Sequence, residues 1–165
     1  MKILGLDPGL RFTGWGLIDS VDNRLKFLAA GRISVPENLD LSSRLGVLHR
    51  ELHQLVEQLQ PHEAAVEETF SNVNAKSTLK LGMARGVVML VPAQFAVPVS
   101  EYAANTVKKT VVGAGHATKE QIQHMVKMLM PMAQFDSPDA ADALAIAICH
   151  AHHAQTRQRI NPRTT

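Results

Sequence analysis

Three strand-like segments separated by short turns open the chain, and they constrain its fold more than any other feature. They cover residues 2–7, 12–18 and 25–34, and each carries alternating or β-rich apolar residues, which is the pattern of strands. Pro8-Gly9 and the polar stretch "SVDNR" separate them, and both are typical of turns. The sequence therefore predicts an antiparallel meander of three strands.

After this meander, helical and strand patterns alternate. Between residues 41 and 60 the leucines step by four and three, which predicts an amphipathic helix with one buried face. Asp40 is placed to cap its N-terminus. The leucines of this stripe are Leu41, Leu45, Leu48, Leu52, Leu55 and Leu59.

The second half of the chain predicts two more strands and four more helices. A helix lies between the fourth and fifth strands, and such a strand–helix–strand connection favours parallel pairing. Ser137 and Pro138 suit the cap and first turn of the last helix. In chain order the segments are a strand at 63–70, a helix at 76–92, a strand at 96–102, helices at 105–112 and 119–130, and a last helix from 138. We expect one domain over residues 1–155 and a disordered polar tail over 156–165.

Composition limits the class of protein. At 165 residues with 45% hydrophobic composition, the chain suits one domain with a real core. Its longest apolar runs are far shorter than the roughly 20 residues of a membrane span, and its start lacks the apolar region of a secretory signal. A single cysteine, Cys149, excludes an intrachain disulfide. A cytoplasmic protein without membrane association is therefore expected.

A basic segment indicates a polyanionic partner. Residues 69–135 contain seven lysines and arginines but only two glutamates, the charge balance of a candidate nucleic-acid surface. A solvated lysine surface is the alternative explanation.

Carboxylates stand where strands and a helix begin or end. Asp7 ends the first strand, Glu67 lies near the end of the fourth, and Asp139 and Asp142 open the last helix. The helix pair alone is also explained by the favourable interaction of acids with a helix N-terminus. If all four converge at one end of the sheet, their repulsion is relieved by hard divalent cations, which bind oxygen ligands.

Other chemistries have weaker support. Cys149, His150, His152 and His153 form a local run, but no second cluster completes four zinc ligands. Neither a Walker-type phosphate loop nor a hydrolase nucleophile elbow occurs in the sequence.

The sequence resembles the RuvC-type Holliday junction resolvases of bacteria, which have a ribonuclease H-like fold. The matching stretches are "LGLDPGLRFTGWGLID", "AAVEETF", "LKLGMARG", "EYAANTVKKTVVGAGHATKEQIQHMV" and "DAADALAIAICH", in order over nearly the whole chain. The resemblance implies an α/β, ribonuclease H-like domain: a mixed five-stranded sheet, first three strands antiparallel, with helices on both faces.

The resemblance also implies a function and its residues. It implies an endonuclease that resolves four-way junctions by paired symmetric nicks, using two Mg²⁺ ions per subunit with Mn²⁺ as a substitute. It implies a homodimer that works with the branch-migration proteins RuvA and RuvB. The implied metal ligands and catalytic residues are Asp7, Glu67, Asp139 and Asp142, and the implied DNA-binding residues are Phe70, Lys108 and Lys119. Glu68 stands where the family often has glutamine, and strand alternation favours Glu67 as the ligand.

Several alternatives remain open at this level. An actin-like kinase or ATPase also begins with a similar hairpin, although that architecture needs two lobes. A noncatalytic junction-binding module would bind without nicking. Phe70 is either a core residue or an exposed base-stacking ring. Gly82 and Gly86 permit close backbone approach, either to the domain's own sheet or to a dimer partner.

Overall fold

The computed structural model describes residues 1–22, 24–68 and 74–160, with side chains to residue 157. Five strands form one mixed sheet in the order β3-β2-β1-β4-β5. The strands are β1 (Lys2–Asp7), β2 (Phe12–Val21), β3 (Arg24–Ser34), β4 (Glu63–Glu68) and β5 (Val99–Ala103). The helices are α1 (Leu41–Leu59), α2 (Ala75–Gln94), α3 (Ala104–Val112), α4 (Lys119–Leu129) and α5 (Pro138–Ile160).

The predicted antiparallel meander is confirmed. β1 pairs with β2 and β2 with β3 in antiparallel register, whereas β4 runs parallel to both β1 and β5. β2 and β3 are longer than predicted, and β5 starts three residues later than predicted. The mixed five-stranded sheet is the one expected from the sequence, and its parallel half brings the ends of β1 and β4 to the same edge.

Helices cover both faces of the sheet, as expected. On one face, apolar side chains of α1 and α2 pack against β1, β2 and β4. On the other, the apolar sides of α3, α4 and α5 complete a second core. The sheet therefore separates two hydrophobic cores, and α5 lies on the face that also carries α3 and α4.

Glycines in the sheet let α5 approach the strands directly. A Cβ atom at Gly5 would lie 2.0 Å from the carbonyl oxygen of Ala143, and one at Gly14 would lie 2.0 Å from that of Asp139. Such distances are impossible between real atoms, so both positions require glycine for this close approach. The contact sets the start of α5 beside the end of β1.

The predicted helix caps are confirmed. The Asp40 carboxylate accepts from the backbone N–H of Ser43 at 2.9 Å, and the Ser137 hydroxyl accepts from that of Ala140 at 3.3 Å. α5 continues to Ile160, so the first half of the predicted disordered tail is helical and the prediction is corrected there. Residues 161–165 lie outside the described residues.

The buried His150 joins three elements through hydrogen bonds. Its Nδ1 lies 3.0 Å from the Tyr102 hydroxyl of β5, and its Nε2 contacts the Glu63 carboxylate of β4. Burial, opposed by the Glu63 contact, lowers the pKa of His150. This side chain therefore satisfies its polar atoms inside the core.

Within the described ranges, none of the helices combines the length and the apolarity needed to cross a membrane.

Candidate active site

Asp7 and Glu67 are neighbours at one edge of the sheet. β1 and β4 run parallel, and their last paired residues, Leu6 and Val66, directly precede the two acids. Because side chains alternate between the faces of a strand, Asp7 points to the same face as Gly5, which lies under α5. The prediction that the two strand-end carboxylates meet is therefore confirmed by the strand register.

The turn after Asp7 is held by hydrogen bonds. The fully buried Thr13 donates its hydroxyl to the carbonyl of Gly9 at 2.7 Å and accepts from the Gly9 N–H at 3.3 Å. From α1, Arg44 Nη2 donates to the carbonyl of Leu10 at 3.3 Å. These contacts give the Pro8-Gly9 turn one conformation, and thereby fix where β1 ends.

A cavity of about 290 Å³ gathers three of the four predicted acids with both predicted lysines. Asp7 and Glu67 come from the sheet, Lys108 from α3, Lys119 from the start of α4, and Asp142 from α5. Lys119 Nζ lies 3.5 Å from Asp142 Oδ2. Residues far apart in the chain thus form one polar cleft, with apolar walls supplied by Ala104, Val107, Ile122 and Ala145.

Electrostatics in this cleft favour neutral acids. Burial first, and then the charges of Glu67, Asp142 and Asp139, raise the pKa of Asp7 to about 8, against the opposing charge of Lys119. Burial is also the main cause of the raised pKa values of Glu67 and Asp142. The two carboxylates repel each other's charge, since Asp142 is a cause of the Glu67 shift. Burial and mutual repulsion therefore both disfavour the ionised acids in this cleft.

Asp139 occupies a different position from the other three acids. It is not among the described residues that line the cavity, and its Oδ2 lies 3.6 Å from Nη1 of Arg32 on β3. Its charge still contributes to the raised pKa values of Asp7 and Asp142. The structure thus places Asp139 beside the cleft, not inside it, and Arg32 is a neighbour that sequence reasoning missed.

Of the remaining residues considered in the sequence analysis, some lie outside the cavity and one lies outside the described residues. Glu67 lines the cavity, whereas Glu68 is not among the described residues that line it, which favours Glu67 as the functional acid of β4. Phe70, the predicted base-stacking residue, lies outside the described residues. The other basic side chains of the predicted positive segment are not part of the cleft lining; for example, Arg85 of α2 pairs with Glu101 of β5.

The sheet is mixed and has helices on both faces, and its neighbouring strands β1 and β4 end in acids beside two lysines. This fold and this site are those of ribonuclease H-like nucleases. The family model described as "Crossover junction endodeoxyribonuclease RuvC" matches residues 3–150. The chain therefore belongs to the RuvC family of crossover junction endodeoxyribonucleases, and the resemblance seen in the sequence is confirmed.

Relatives and solved structures agree with this assignment. The chain is 56% identical to the crossover junction endodeoxyribonuclease RuvC of Brucella ovis, over 94% of this chain and 90% of that one. It is 57% identical to that of Bartonella tribocorum, over 98% and 92%. The structure of Thermus thermophilus RuvC in complex with a Holliday junction substrate matches with a TM-score of 0.88 at 29% identity, covering 95% of this chain and 96% of that one.

Proposed function

We propose that this chain resolves Holliday junctions by divalent-metal-dependent hydrolysis of phosphodiester bonds, with paired symmetric nicks. The observation that carries the proposal is the cleft in which Asp7, Glu67 and Asp142 meet two lysines. A relative in the same family, similar along nearly the whole chain, is described in complex with a Holliday junction substrate. Acids that need positive charge and lysines that attract phosphate together suit this substrate.

The donor chemistry of the site fits Mg²⁺. The four acids offer only oxygen atoms, the ligands that Mg²⁺ prefers. Burial, and after it the charges of the neighbouring acids, raises the pKa of Asp7 to about 8, and a bound cation would offset both effects. Among the described residues, no three acidic, histidine or cysteine side chains are arranged to hold an ion as they stand, and Asp139 and Asp142 face Arg32 and Lys119 instead. Binding of cations would therefore have to draw the acidic side chains together. We infer that Asp7, Glu67, Asp139 and Asp142 hold two Mg²⁺ ions per subunit, with Mn²⁺ as a substitute. When bound, such ions would lower the pKa of a water molecule and stabilise negative charge on a leaving oxygen.

The chain's own residues contribute position and charge. The sheet edge and the start of α5 hold the acids on rigid elements, which keeps them in place without reorganisation. Lys108 and Lys119 line the same cavity as the acids, where their ammonium groups would attract the phosphates that flank the scissile bond.

Lys108→Ala and Lys119→Ala test whether the two lysines of the cavity contact DNA phosphates. Loss of a phosphate contact should reduce the slope of log binding constant against log salt concentration by about one unit. Loss of a positive charge that stabilises the transition state should slow nicking by roughly 10²-fold. Lys109→Ala is the matched control, because Lys109 is exposed and is not among the described cavity residues. Salt-dependent binding and single-turnover nicking measure both effects. If both cavity variants show the wild-type salt dependence and the wild-type nicking rate, the two lysines belong only to a solvated surface.

Phe70 is proposed to stack on a base near the branch point. Phe70→Ala should then leave thermal stability almost unchanged and weaken junction processing by about 1–3 kcal/mol, whereas Phe70→Trp should retain much of the activity. Thermal melts and cleavage assays on both variants measure this. A buried ring would instead make Phe70→Ala lose about 3–5 kcal/mol of stability with normal activity per folded molecule, and that result would contradict stacking.

A homodimer is proposed because two symmetric nicks need two sites related by a two-fold axis. α2 presents an apolar surface to solvent: Leu79 is 62% and Leu90 52% exposed, and Met83 is also exposed. No atom of the described residues outside the local helix lies within 4 Å of a Cβ built at Gly82 or Gly86. These glycines therefore do not pack on the domain's own sheet within the described structure, which favours the dimer interpretation.

Leu90→Arg tests this surface. The wild-type chain should sediment as a dimer at micromolar concentration, and the variant as a monomer, because a charge in an apolar interface is left unpaired. Since Leu90 is exposed, the free energy of unfolding of the monomer unit should change by less than about 0.5 kcal/mol. Met128→Arg, at the 64% exposed Met128 of α4, is the control and should remain dimeric. Equal sedimentation of both variants would exclude α2 as the interface.

The whole proposal is tested with a synthetic four-way junction and a linear duplex of matched sequence, each with and without Mg²⁺. Paired nicks that appear only on the junction and only with Mg²⁺ support it. Junction binding without nicking would support a noncatalytic binding module instead. Cooperation with RuvA and RuvB is also proposed, and it predicts that the branch-migration proteins change the rate of nicking when added to the same reaction.

A further inference from the structure

Arg32 stands beside the first turn of α5 because of strand register. It pairs with Gly14 across β3 and β2, and at Gly14 the backbone of Asp139 takes the space that a side chain would fill. No side chain from β2 therefore separates the β3 arginine from the helix. Arg32 thus reaches the acid of the first helical turn across a distance of 107 residues in sequence.

The arginine is held from two sides. Its guanidinium carbon lies 4.0 Å from the centroid of the Phe12 ring, which is a cation–π contact, and its Nη1 lies 3.6 Å from Asp139 Oδ2. Arg32 also lines a groove of about 550 Å³ between β3 and the loop before α5. This groove is separate from the cleft that holds Asp7, Glu67 and Asp142.

Asp139 therefore lies between two cavities. The acidic cleft is on one side, and the Arg32 groove, which also contains the exposed Asp136, is on the other. Of the described acids, Asp139 is the one at ion-pair distance from Arg32. The charge of Asp139 acts on the cleft, since it contributes to the raised pKa of Asp7. Its carboxylate, however, pairs with Arg32 outside the cleft.

We propose that Arg32 is a positioning residue that holds the Asp139 carboxylate on the β3 side of α5 and so weakens divalent-cation binding by the acidic cleft. The inference rests on the proposed function, because that function assigns Asp139 to the cation site. A carboxylate oxygen engaged by a guanidinium is a poorer ligand, and a cation that recruits Asp139 has to compete with Arg32. In return, the pair neutralises the acid that stands beside the cleft when no cation is bound.

The size of the effect follows from the exposure of the pair. The side chains of Arg32 and Asp139 are 36% and 30% exposed, so solvent screens their attraction, and pairs of this kind change an equilibrium by about two- to fivefold. Removal of the Arg32 charge should therefore tighten cation binding by about two- to fivefold. Arg32→Lys keeps the charge and should stay near the wild-type affinity.

Binding of Mn²⁺ in the absence of DNA, followed by electron paramagnetic resonance of the free ion, measures this directly on the full chain. Arg32→Gln should bind Mn²⁺ about two- to fivefold more tightly than wild type. Arg11→Gln is the matched control: it removes the same charge near the same Phe12 ring, with the guanidinium at 4.9 Å, but Arg11 pairs with Glu37 at 3.4 Å. Its affinity should therefore change less.

A double-mutant cycle isolates the pair. In an Asp139→Asn background, Arg32→Gln should no longer tighten Mn²⁺ binding, because the carboxylate it released is gone. Affinity that is unchanged or weaker in Arg32→Gln, or an equal gain with and without Asp139, would overturn the inference.

Asp7→Asn separates this inference from the proposed function. If Asp7→Asn abolishes Mn²⁺ binding while Arg32→Gln matches wild type, the cation site stands and only the role of Arg32 fails. Wild-type binding that survives Asp7→Asn would overturn both.

Discussion

Asp7→Asn is expected to slow junction nicking by about 10³-fold, on the scale of losing one dominant electrostatic group in an active site, while junction binding is retained or strengthened. The asparagine keeps the shape of the side chain but cannot supply the charge that a divalent cation needs. Loss of one negative charge also reduces repulsion of DNA phosphates. Single-turnover nicking and equilibrium binding of the same protein measure the two effects separately.

Matched variants make this result specific. Glu67→Gln should behave like Asp7→Asn, because both acids line the cavity. Glu68→Gln, one residue further along β4, and Asp22→Asn, in the exposed turn after β2, should nick at rates close to wild type. If Asp7→Asn nicks junctions at the wild-type rate, the cleft is not the catalytic site.

Asp7 should also make the stability of the cation-free protein strongly pH-dependent. Its pKa is raised to about 8 in the folded chain and is near 4 in an unfolded one, so the folded state binds more protons between these values. The free energy of unfolding should therefore fall as pH rises from about 4 to about 8, and the loss should be complete above the folded pKa. Below pH 4 the Asp7 side chain is protonated in both states and contributes no such slope.

Urea unfolding in the presence of a chelator, at pH 5, 6.5 and 8, measures this dependence. Asp7→Asn should remove most of the slope, so that at pH 8 the variant exceeds wild type by a few kcal/mol, at about 1.36 kcal/mol per unit of pKa shift. Addition of Mg²⁺ at pH 8 should stabilise wild type more than the variant. Parallel pH curves for the two proteins would show that burial and the neighbouring acids do not raise the pKa of Asp7.

Sequence reasoning succeeded where the signal is local. The leucine stripe and Asp40 specify α1, because a buried helix face and its cap are encoded within a few turns. Ser137 specifies the start of α5 in the same way. Thr118 and Gln121 form a capping box at α4, which is equally local but was not predicted from the sequence. These features depend on residues three or four apart.

The candidate site was predictable in part, for a physical reason. Asp7 ends β1 and Glu67 lies one residue before the end of β4. Parallel neighbouring strands bring their carboxyl ends to one edge, so the meeting of the two acids follows from topology alone. Lys108 and Lys119 were inferred from family resemblance, and the structure places both in the cleft. Spacing by itself did not distinguish them from Lys109, because the face that a short helix buries depends on what it packs against.

The sequence by itself determined the order of strands and helices, their caps, and which acids stand at strand and helix ends, since each of these follows from periodicity or from contacts within one or two turns. Only the tertiary structure decided that Asp139 faces Arg32 while Asp142 faces the cleft, and that the glycine face of α2 points to solvent. The contact between Asp139 and Arg32 depends on the register of β2 with β3 and on how closely α5 lies on Gly14, which brings Asp139 to residues more than 100 positions away. Such contacts arise from packing of whole elements, and no local pattern in the chain specifies them.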